Sequence, residues 1–384
     1  AARSWWTPGK VLVVAQVAIA IFLVAAGSLF VRNLQRLQSR ETGFDRSNLL
    51  IFDLRPGETG YAGERRVQFY RELERRLASI PGVTSLSLTR VRPMAQSGWW
   101  DELIAPGQSE GKISTALNWV TPGHASTFGL RVLSGRFFTE ADRASKSKML
   151  VVSEEVARRV GPAALGSQVK LEDGVHQIIG IVANVAYNEL QEQPPLVYRP
   201  NLLSDPNATI TLRTTASPLA TFPAVREAIR QLDRDLPIIE PLTMEQQIAA
   251  TLRSERLFAY LCGGFAVLAI LISVIGLYGV ISYQAARRRS EIGIRMALGA
   301  TPTRILRLVL SEGVLLVILG FALGAPMIYF ASAYVEKLLF ELKPLDPLSL
   351  TLAVASLGLA ALLAALVPAW RAAGESPVMV LRQE

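Results

Sequence analysis

Arg287–Leu310 reads RRRSEIGIRMALGATPTRILRLVL and follows a long run without charge. Six arginines against one glutamate sit here, between two segments long enough to cross a bilayer. Short loops loaded with Arg or Lys stay on the cytoplasmic side of a membrane. This stretch therefore orients everything on either side of it. Ile292, Ile294, Met296 and Leu298 recur at every second position, and Gly299 with Pro302 ends whatever helix they form. Such a segment can lie along the membrane face with its arginines among the headgroups, or it can be a docking knob for a cytoplasmic partner. Arg287, Arg288 and Arg289 alone need only set topology. The glycines and apolar residues from Glu291 to Ala300 are more than orientation requires.

Outward from this loop, Leu257–Tyr283 carries no charge for 27 residues. At 1.5 Å per residue that is about 40 Å, longer than a hydrocarbon core of ~30 Å, so the helix must tilt or project. Met244, Ile248 and Leu252 keep helical spacing ahead of it, which predicts a stalk helix (242–256) continuous with the span. After the loop, 284–312, come a third span at 313–335, a linker at 336–347, a fourth span at 348–367 and a tail at 368–384. The first span is 11–31, behind a short N-terminal segment, 1–10, in which Trp5 and Trp6 stand where an aromatic belt would place them. Val31, Leu34 and Leu37 continue its periodicity as a second stalk, 32–41. The orientation is self-consistent: both termini and the basic loop inside, the large segment and the linker outside.

Within the third span, Gly320 and Gly324 at small-xxx-small spacing let two helices approach closely. Ordinary packing and a dedicated dimer seam account for them about equally well. Pro326 is expected to kink that span, and Glu312 reads as an interfacial carboxylate beside the arginines.

Mean hydropathy is +0.30 while 19% of residues are charged, a mixture expected of a few membrane spans attached to a water-soluble domain. The formal charge is +8 and the pI about 9.8, but residues 32–256 contribute only +3 of it. The excess is therefore largely topological, and no basic face with interleaved aromatics suggests nucleic acid. Cys262 is the single cysteine, so no intrachain disulfide is possible. His124 and His176 lack partners at ligand spacing, and no metal site is expected. The chain begins at Ala1 rather than Met, which suggests processing or an excerpt of something longer. No cleavable signal peptide is expected, because no small-residue cleavage site follows the first apolar run.

The segment 32–256 reads as a soluble extracytoplasmic domain. Leu49–Leu54, Glu64–Ile80 and Val83–Thr89 form a β-α-β unit. Ala208–Leu212, Leu219–Leu232 and Ile238–Ile239 repeat that grammar. Two such halves (44–113 and 201–241) combine into a ferredoxin-like lobe. Between them, 114–200 is an inserted small α/β lobe, with strands at Met149–Ser153, Gln168–Leu171 and His176–Val182 and a short helix at Glu154–Val160. The fold class is thus four membrane helices plus a soluble α+β extracytoplasmic domain of two lobes. No phosphate-binding loop is present: Gly107–Lys112, GQSEGK, has the wrong spacing and lacks the following Ser or Thr. Neither a Gly-x-Ser-x-Gly elbow nor a Cys/His arrangement occurs, so the chain reads as no enzyme.

Four stretches together resemble the MacB/FtsX-type permeases of ABC transporters. SEIGIRMALGATPTRILRLVLSEGVLL is similar to that family's cytoplasmic segment, and QIIGIVANVAYNELQEQPPLVYRP (Gln177–Pro200) to its extracytoplasmic core. PAWRAAGESPVMVLRQE is similar to its C-terminal tail. LVVAQVAIAIFLVAAGSLFVRNLQRLQSRETGFD resembles most the subgroup with two permease units in one polypeptide.

The resemblance implies a bacterial inner-membrane, multi-pass protein with its large domain in the periplasm. It further implies an efflux or export role by mechanotransmission, in which closure of a cytoplasmic ATPase dimer moves the outer domain. Glu291, Ile292, Gly293, Arg295, Leu298 and Gly299 would then dock on the ATPase. Leu298 and Ile292 would fill a groove while the charged pair fixes orientation. Partners would be that ATPase, a second permease unit (homodimer or fused copy), a periplasmic adaptor and membrane lipid, with no nucleic acid. No cofactor would be bound by this chain, since ATP would sit on the ATPase. A competing class is a signalling or scaffold protein that regulates a cell-wall enzyme through its outer domain. A stand-alone membrane enzyme would need a catalytic constellation that the residues do not supply.

Overall fold

The computed structural model describes residues 7–106, 111–144, 148–200, 205–298, 300–335 and 347–373. Trp5, Trp6, Gly299, most of Gly107–Lys112, the linker before Pro347 and the end of the tail lie outside the described residues. The chain forms two compact units, one made of residues 39–253 and the other of the remainder.

In chain order the elements begin with α1 (Pro8–Ser39), β1 (Leu49–Leu54), α2 (Gly63–Ala78), β2 (Val83–Thr89), β3 (Trp99–Ile104) and β4 (Lys112–Val120). Then come α3 (His124–Phe128), β5 (Val132–Gly135), α4 (Glu140–Ala144), β6 (Met149–Ser153), α5 (Glu154–Val160), β7 (Gln168–Leu171), β8 (Gly174–Val182) and β9 (Leu196–Pro200). The series closes with β10 (Ala208–Thr214), α6 (Pro218–Leu232), β11 (Ile238–Thr243), α7 (Met244–Thr251), α8 (Arg253–Arg287), α9 (Arg289–Ala297), α10 (Pro302–Val335) and α11 (Pro347–Ala373).

In the mixed unit, β1 is apolar at nearly every position and lies between β11 and β10, antiparallel to both. Its alternate residues Leu50, Phe52 and Leu54 meet the amphipathic faces of two helices. Those faces are Phe69, Tyr70, Leu73 and Leu77 on α2 and Val225 and Ile229 on α6. Leu49 and Ile51 point the other way and are equally buried. β2 follows β10 in the same antiparallel order, giving β11-β1-β10-β2 with both helices on one face.

β2 then touches β4 through one pair, Thr89 opposite Val120. Beyond it the pairings β4-β3-β7-β8-β6-β9 return to β4, closing a ring of strands, with β5 added beside β8. Leu103, Ile113, Leu150, Val152, Ile178 and Val197 form a core there, over which α5 packs Val156. Sequence patterning does not separate β3, β4, β5 and β9. The expected boundary at 113/114 falls inside β4, which serves both groups of strands. β5 is four residues, all exposed, and β9 is five residues that do not alternate, so neither shows a period to read.

The expected continuous stalk helix of 242–256 is corrected. Residues 242–243 end β11, α7 starts at Met244, and the helix breaks at Leu252. Thr243 and Gln246 form a capping box that starts α7. The Gln247 amide and the Thr251 hydroxyl both donate to the Met94 carbonyl, at 2.8 and 3.0 Å. Met94 is buried with φ 58, a left-handed conformation uncommon for a side-chain-bearing residue. Its carbonyl is thereby presented to α7.

The helical unit holds α1, α8, α10 and α11, each long and apolar enough to cross a membrane. α1 is the most buried and its neighbours reach it through small residues. A Cβ on Gly320 would run into the Val17 side chain at 2.3 Å, and one on Gly324 would stand 3.0 Å from the Ala18 carbonyl. Gly27 on α1 sits likewise against the Cys262 carbonyl of α8. The Ser273 hydroxyl donates to the Gln16 carbonyl at 3.3 Å. Meanwhile Leu261, Phe265, Leu268, Ile272 and Ile275 line an exposed apolar stripe on α8, the arrangement expected where the surroundings are hydrocarbon. α10 begins at Pro302, ahead of the expected span start at Gly313, because its arginine-bearing first turns are helical too. Proline suits the opening turn of a helix.

Candidate functional site

The arginine-rich stretch 287–310 is a corner in which a short helix, α9, joins α8 to α10. α8 ends at Arg287, and Arg288 sits outside helical geometry (φ −104, ψ 18) before α9 begins. Glu291 occupies the first turn of α9 and Arg295 its last, the placement that complements a helix dipole. They pair one turn apart at 2.6 Å. Both are about half exposed, so the pair is worth ~0.3–0.5 kcal/mol and arranges the surface more than it stabilises it.

The helical period sorts the rest. Glu291, Ile294, Arg295 and Leu298 fall at i, i+3, i+4 and i+7 and share one face. Leu298 is 83% exposed and Ile294 49%. Ile292 and Met296 turn to the other face. Ile292, only 7% exposed, packs on Ile305 of α10 with Ala285, Met296 and Ala300 around it. Ile292 was expected to fill a partner's groove; it instead fastens α9 to α10. The outward apolar contact belongs to Ile294 and Leu298. Gly293 lies within α9, and Gly299 is not described. A second brace joins Arg288 to Glu312 of α10 at 2.5 Å. Of the three topology arginines, Arg287 closes α8, Arg288 makes this brace, and Arg289 opens α9.

Gly320 and Gly324 both meet α1 of the same chain.

In the mixed unit one pair imitates a nucleophile and base: Ser87 Oγ lies 2.9 Å from His124 Nδ1. Both residues are buried, and His124 is enclosed by Phe128, Phe137 and Tyr198. Burial pushes the His124 imidazole down to about 3, so it stays neutral and hydrogen-bonds as a core residue. His176 is held by Asp173 at 2.8 Å, and Asp173 also binds Arg199. Among the described residues, no group of three or more His, Cys, Asp or Glu is placed to hold a metal ion.

Two family models divide the chain between them. Residues 11–232 match the MacB-like periplasmic core domain, and residues 263–377 match the FtsX-like permease C-terminal region. The chain belongs to the MacB/FtsX-type permeases of ABC transporters. It is thus a membrane protein with a soluble extracytoplasmic domain. Both matched regions are permease parts, a periplasmic core and a permease C-terminal region.

Among curated relatives, the pyoverdine export ATP-binding/permease protein PvdT of Pseudomonas putida is 27% identical over 51% of this permease and 32% of its own length. The macrolide export ATP-binding/permease protein MacB of Chromobacterium violaceum is 32% identical, over 37% of this chain and 22% of its own. The ABC transporter permease YknZ of Bacillus subtilis is 24% identical over 60% of each. The match spans about a third of the length of PvdT.

Proposed function

We propose that this permease couples a cytoplasmic ATPase dimer to movement of its extracytoplasmic domain, in export across a bacterial inner membrane. The supporting observation is the outward face of α9. Glu291 and Arg295 hold each other in place there, beside two exposed apolar side chains, Ile294 and Leu298. The Ile292–Ile305 contact and the Arg288–Glu312 pair brace that face against α10. A push on it is delivered to a membrane helix rather than absorbed by a loop. The close contacts of Gly320 with the Val17 side chain and of Gly324 with the Ala18 backbone would pass the motion on to α1. Export is the function named for the PvdT and MacB relatives.

In this reading the basic loop 284–312 is cytoplasmic and the large domain periplasmic. β11-β1-β10-β2 with α2 and α6 is the porter-like lobe of ferredoxin-like order, and the ring of strands is the inserted lobe. A second permease unit, as a homodimer or a fused copy, and a periplasmic adaptor complete the assembly.

The test replaces both Glu291 and Arg295 by Ala in proteoliposomes that contain the co-purifying ATPase. Coupled activity should fall by about tenfold or more while the ATPase alone keeps its basal rate, since a central interface contact is worth ~1–2 kcal/mol. Full coupling in the double variant would remove the pair from the mechanism. Capture of a cell-wall hydrolase in place of an adaptor would turn the reading toward the regulatory class.

A further inference from the structure

A cavity of about 470 Å³ opens in the mixed unit where β1 and β2 end and β10 begins. Small-molecule sites have volumes of about 300–1,000 Å³. The backbone around it is bent at a cost. Met94 (φ 58) and Gln96 (φ 54) lie in the segment between β2 and β3, and Glu240 (φ 47) is on the cavity wall. They are three of the four non-glycine residues with left-handed φ among those described, and such residues gather at ligand clamps. Glu240 also stands at a register shift of β11 against β1, an irregularity of the kind that re-aims a side chain.

Every guanidinium on the wall already faces a carboxylate. Arg92, more than nine-tenths buried, donates from Nη1 to Glu240 at 2.9 Å and to Asp53 at 3.3 Å. Arg90 pairs with Asp205 at 3.5 Å, and Arg55 with Glu58 at 3.3 Å. The cavity therefore calls for neither an anion nor a cation. Nor does it offer a strand edge, because the Val91 amide and carbonyl are both bonded to the Asn118 side chain. What it offers is mixed. Glu240 and Asp53 present carboxylate acceptors, and Asn207 presents an amide. The Arg92 Nε–H has no partner among the described residues, although a buried polar group is almost always satisfied. Beside them is one flat apolar surface. The Arg90 guanidinium carbon lies 4.1 Å from the Trp99 ring centroid and covers one face, yet Trp99 is 52% exposed.

We propose that this cavity binds one hexose ring of an uncharged glycan. A sugar hydroxyl donates and accepts at once, so it fits between a carboxylate and a guanidinium that already neutralise each other. The ring's hydroxyls donate to Glu240 and Asp53 and accept from Arg92 and Asn207. Its C–H face lies on the exposed part of Trp99, a rigid side chain that gives contact area at little entropic cost. The site lies outside α9 and holds whether or not α9 docks an ATPase.

The test presents the full-length chain, purified in a detergent without a sugar headgroup, with maltotetraose, cellotetraose, mannotetraose and chitotetraose in turn. Saturation-transfer NMR should detect binding of at least one, and calorimetry should give its Kd. Trp99→Ala should weaken that Kd by about tenfold or more, the loss expected of a central aromatic contact. Trp99→Phe should keep most of it, and Glu240→Gln should lose a few-fold, as a charged acceptor becomes a neutral one. Trp100→Ala removes a neighbouring indole, 51% exposed and outside the cavity, and should change little. The proposal is overturned if none of the four sugars binds, or if Trp100→Ala costs as much as Trp99→Ala. It is also overturned if a sulfated sugar or an acetylated, amidated tetra-alanine binds more tightly than the neutral sugars, because the site would then belong to an anion or to a peptide.

Discussion

Phe52 in the mixed unit and Phe265 in α8 are the same residue in opposite solvents. Phe52 has no exposed surface and is packed by two helices against a sheet, whereas Phe265 is 54% exposed on a helix otherwise apolar. Around Phe52 the stabilising quantity is apolar area removed from water. Around α1, where hydrocarbon is the surroundings, apolar burial gives little, and the contacts that matter are those in which glycine lets backbones come close. Polar groups follow the same division. The mixed unit buries Asn118, which bonds the Val91 amide and carbonyl, and Thr121, which bonds the Leu88 amide. Between the membrane helices, the Ser273–Gln16 bond joins a side chain to backbone.

That contrast breaks if a single substitution has the same effect in both settings. Phe52→Ala should destabilise the purified full chain by about 3–5 kcal/mol in denaturant unfolding, the cost of a large buried cavity. Phe265→Ala should change it by less than ~0.5 kcal/mol. Equal losses would mean that α8 is packed by something other than lipid.

A smaller effect is expected for glycine, between two positions of the helical unit. Gly324→Leu forces a side chain against the Ala18 carbonyl and should cost ~1–3 kcal/mol in thermal stability in detergent. A Cβ added at Gly358 on α11 meets nothing within 4 Å, so Gly358→Ala should be neutral or slightly stabilising, as glycine is a poor helix former. If both behaved alike, close approach to α1 would not be what holds these helices.

The next effect is specific to the water-facing unit and depends on pH. His124 is held neutral down to about 3, while an unfolded chain protonates its histidines near 6.5. Above pH ~6.5 neither state gains a proton and nothing is lost. As pH falls below that, the unfolded state takes up a proton that the folded state refuses, and stability drops by ~1.4 kcal/mol per unit. His124→Gln should flatten that slope between pH 6.5 and 5, measured by denaturant unfolding. An unchanged slope would place the titration elsewhere.

How far these features can be read without coordinates differs along the chain. The four apolar segments, the basic corner and the two β-α-β halves are long periodic signals, and a chain solvated differently on its two faces must display them. The face of α9 is less legible. Ile292, Ile294, Met296 and Leu298 alternate in sequence, which suggests a single stripe, yet a helix of period 3.6 turns Ile292 and Met296 inward and leaves Ile294 and Leu298 out. The break at Leu252 has no Gly or Pro to announce it. It accompanies side-chain bonds to the Met94 carbonyl, some 150 residues earlier. The Thr243–Gln246 capping box, by contrast, is a short-range pattern readable from the residues alone. The ring of strands depends on parallel pairing of β4 with β9, whose register is set by contacts distant in sequence.

Leu298 tests the central claim most directly, because it is the most exposed apolar residue of the proposed docking face. A Leu298→Cys substitution, in a Cys262→Ser background, would be labelled with a membrane-impermeant maleimide with and without the ATPase. Labelling is expected in inverted membrane vesicles but not in intact cells, with protection once the ATPase is bound. Labelling from the outer face, or no protection by the ATPase, would contradict it.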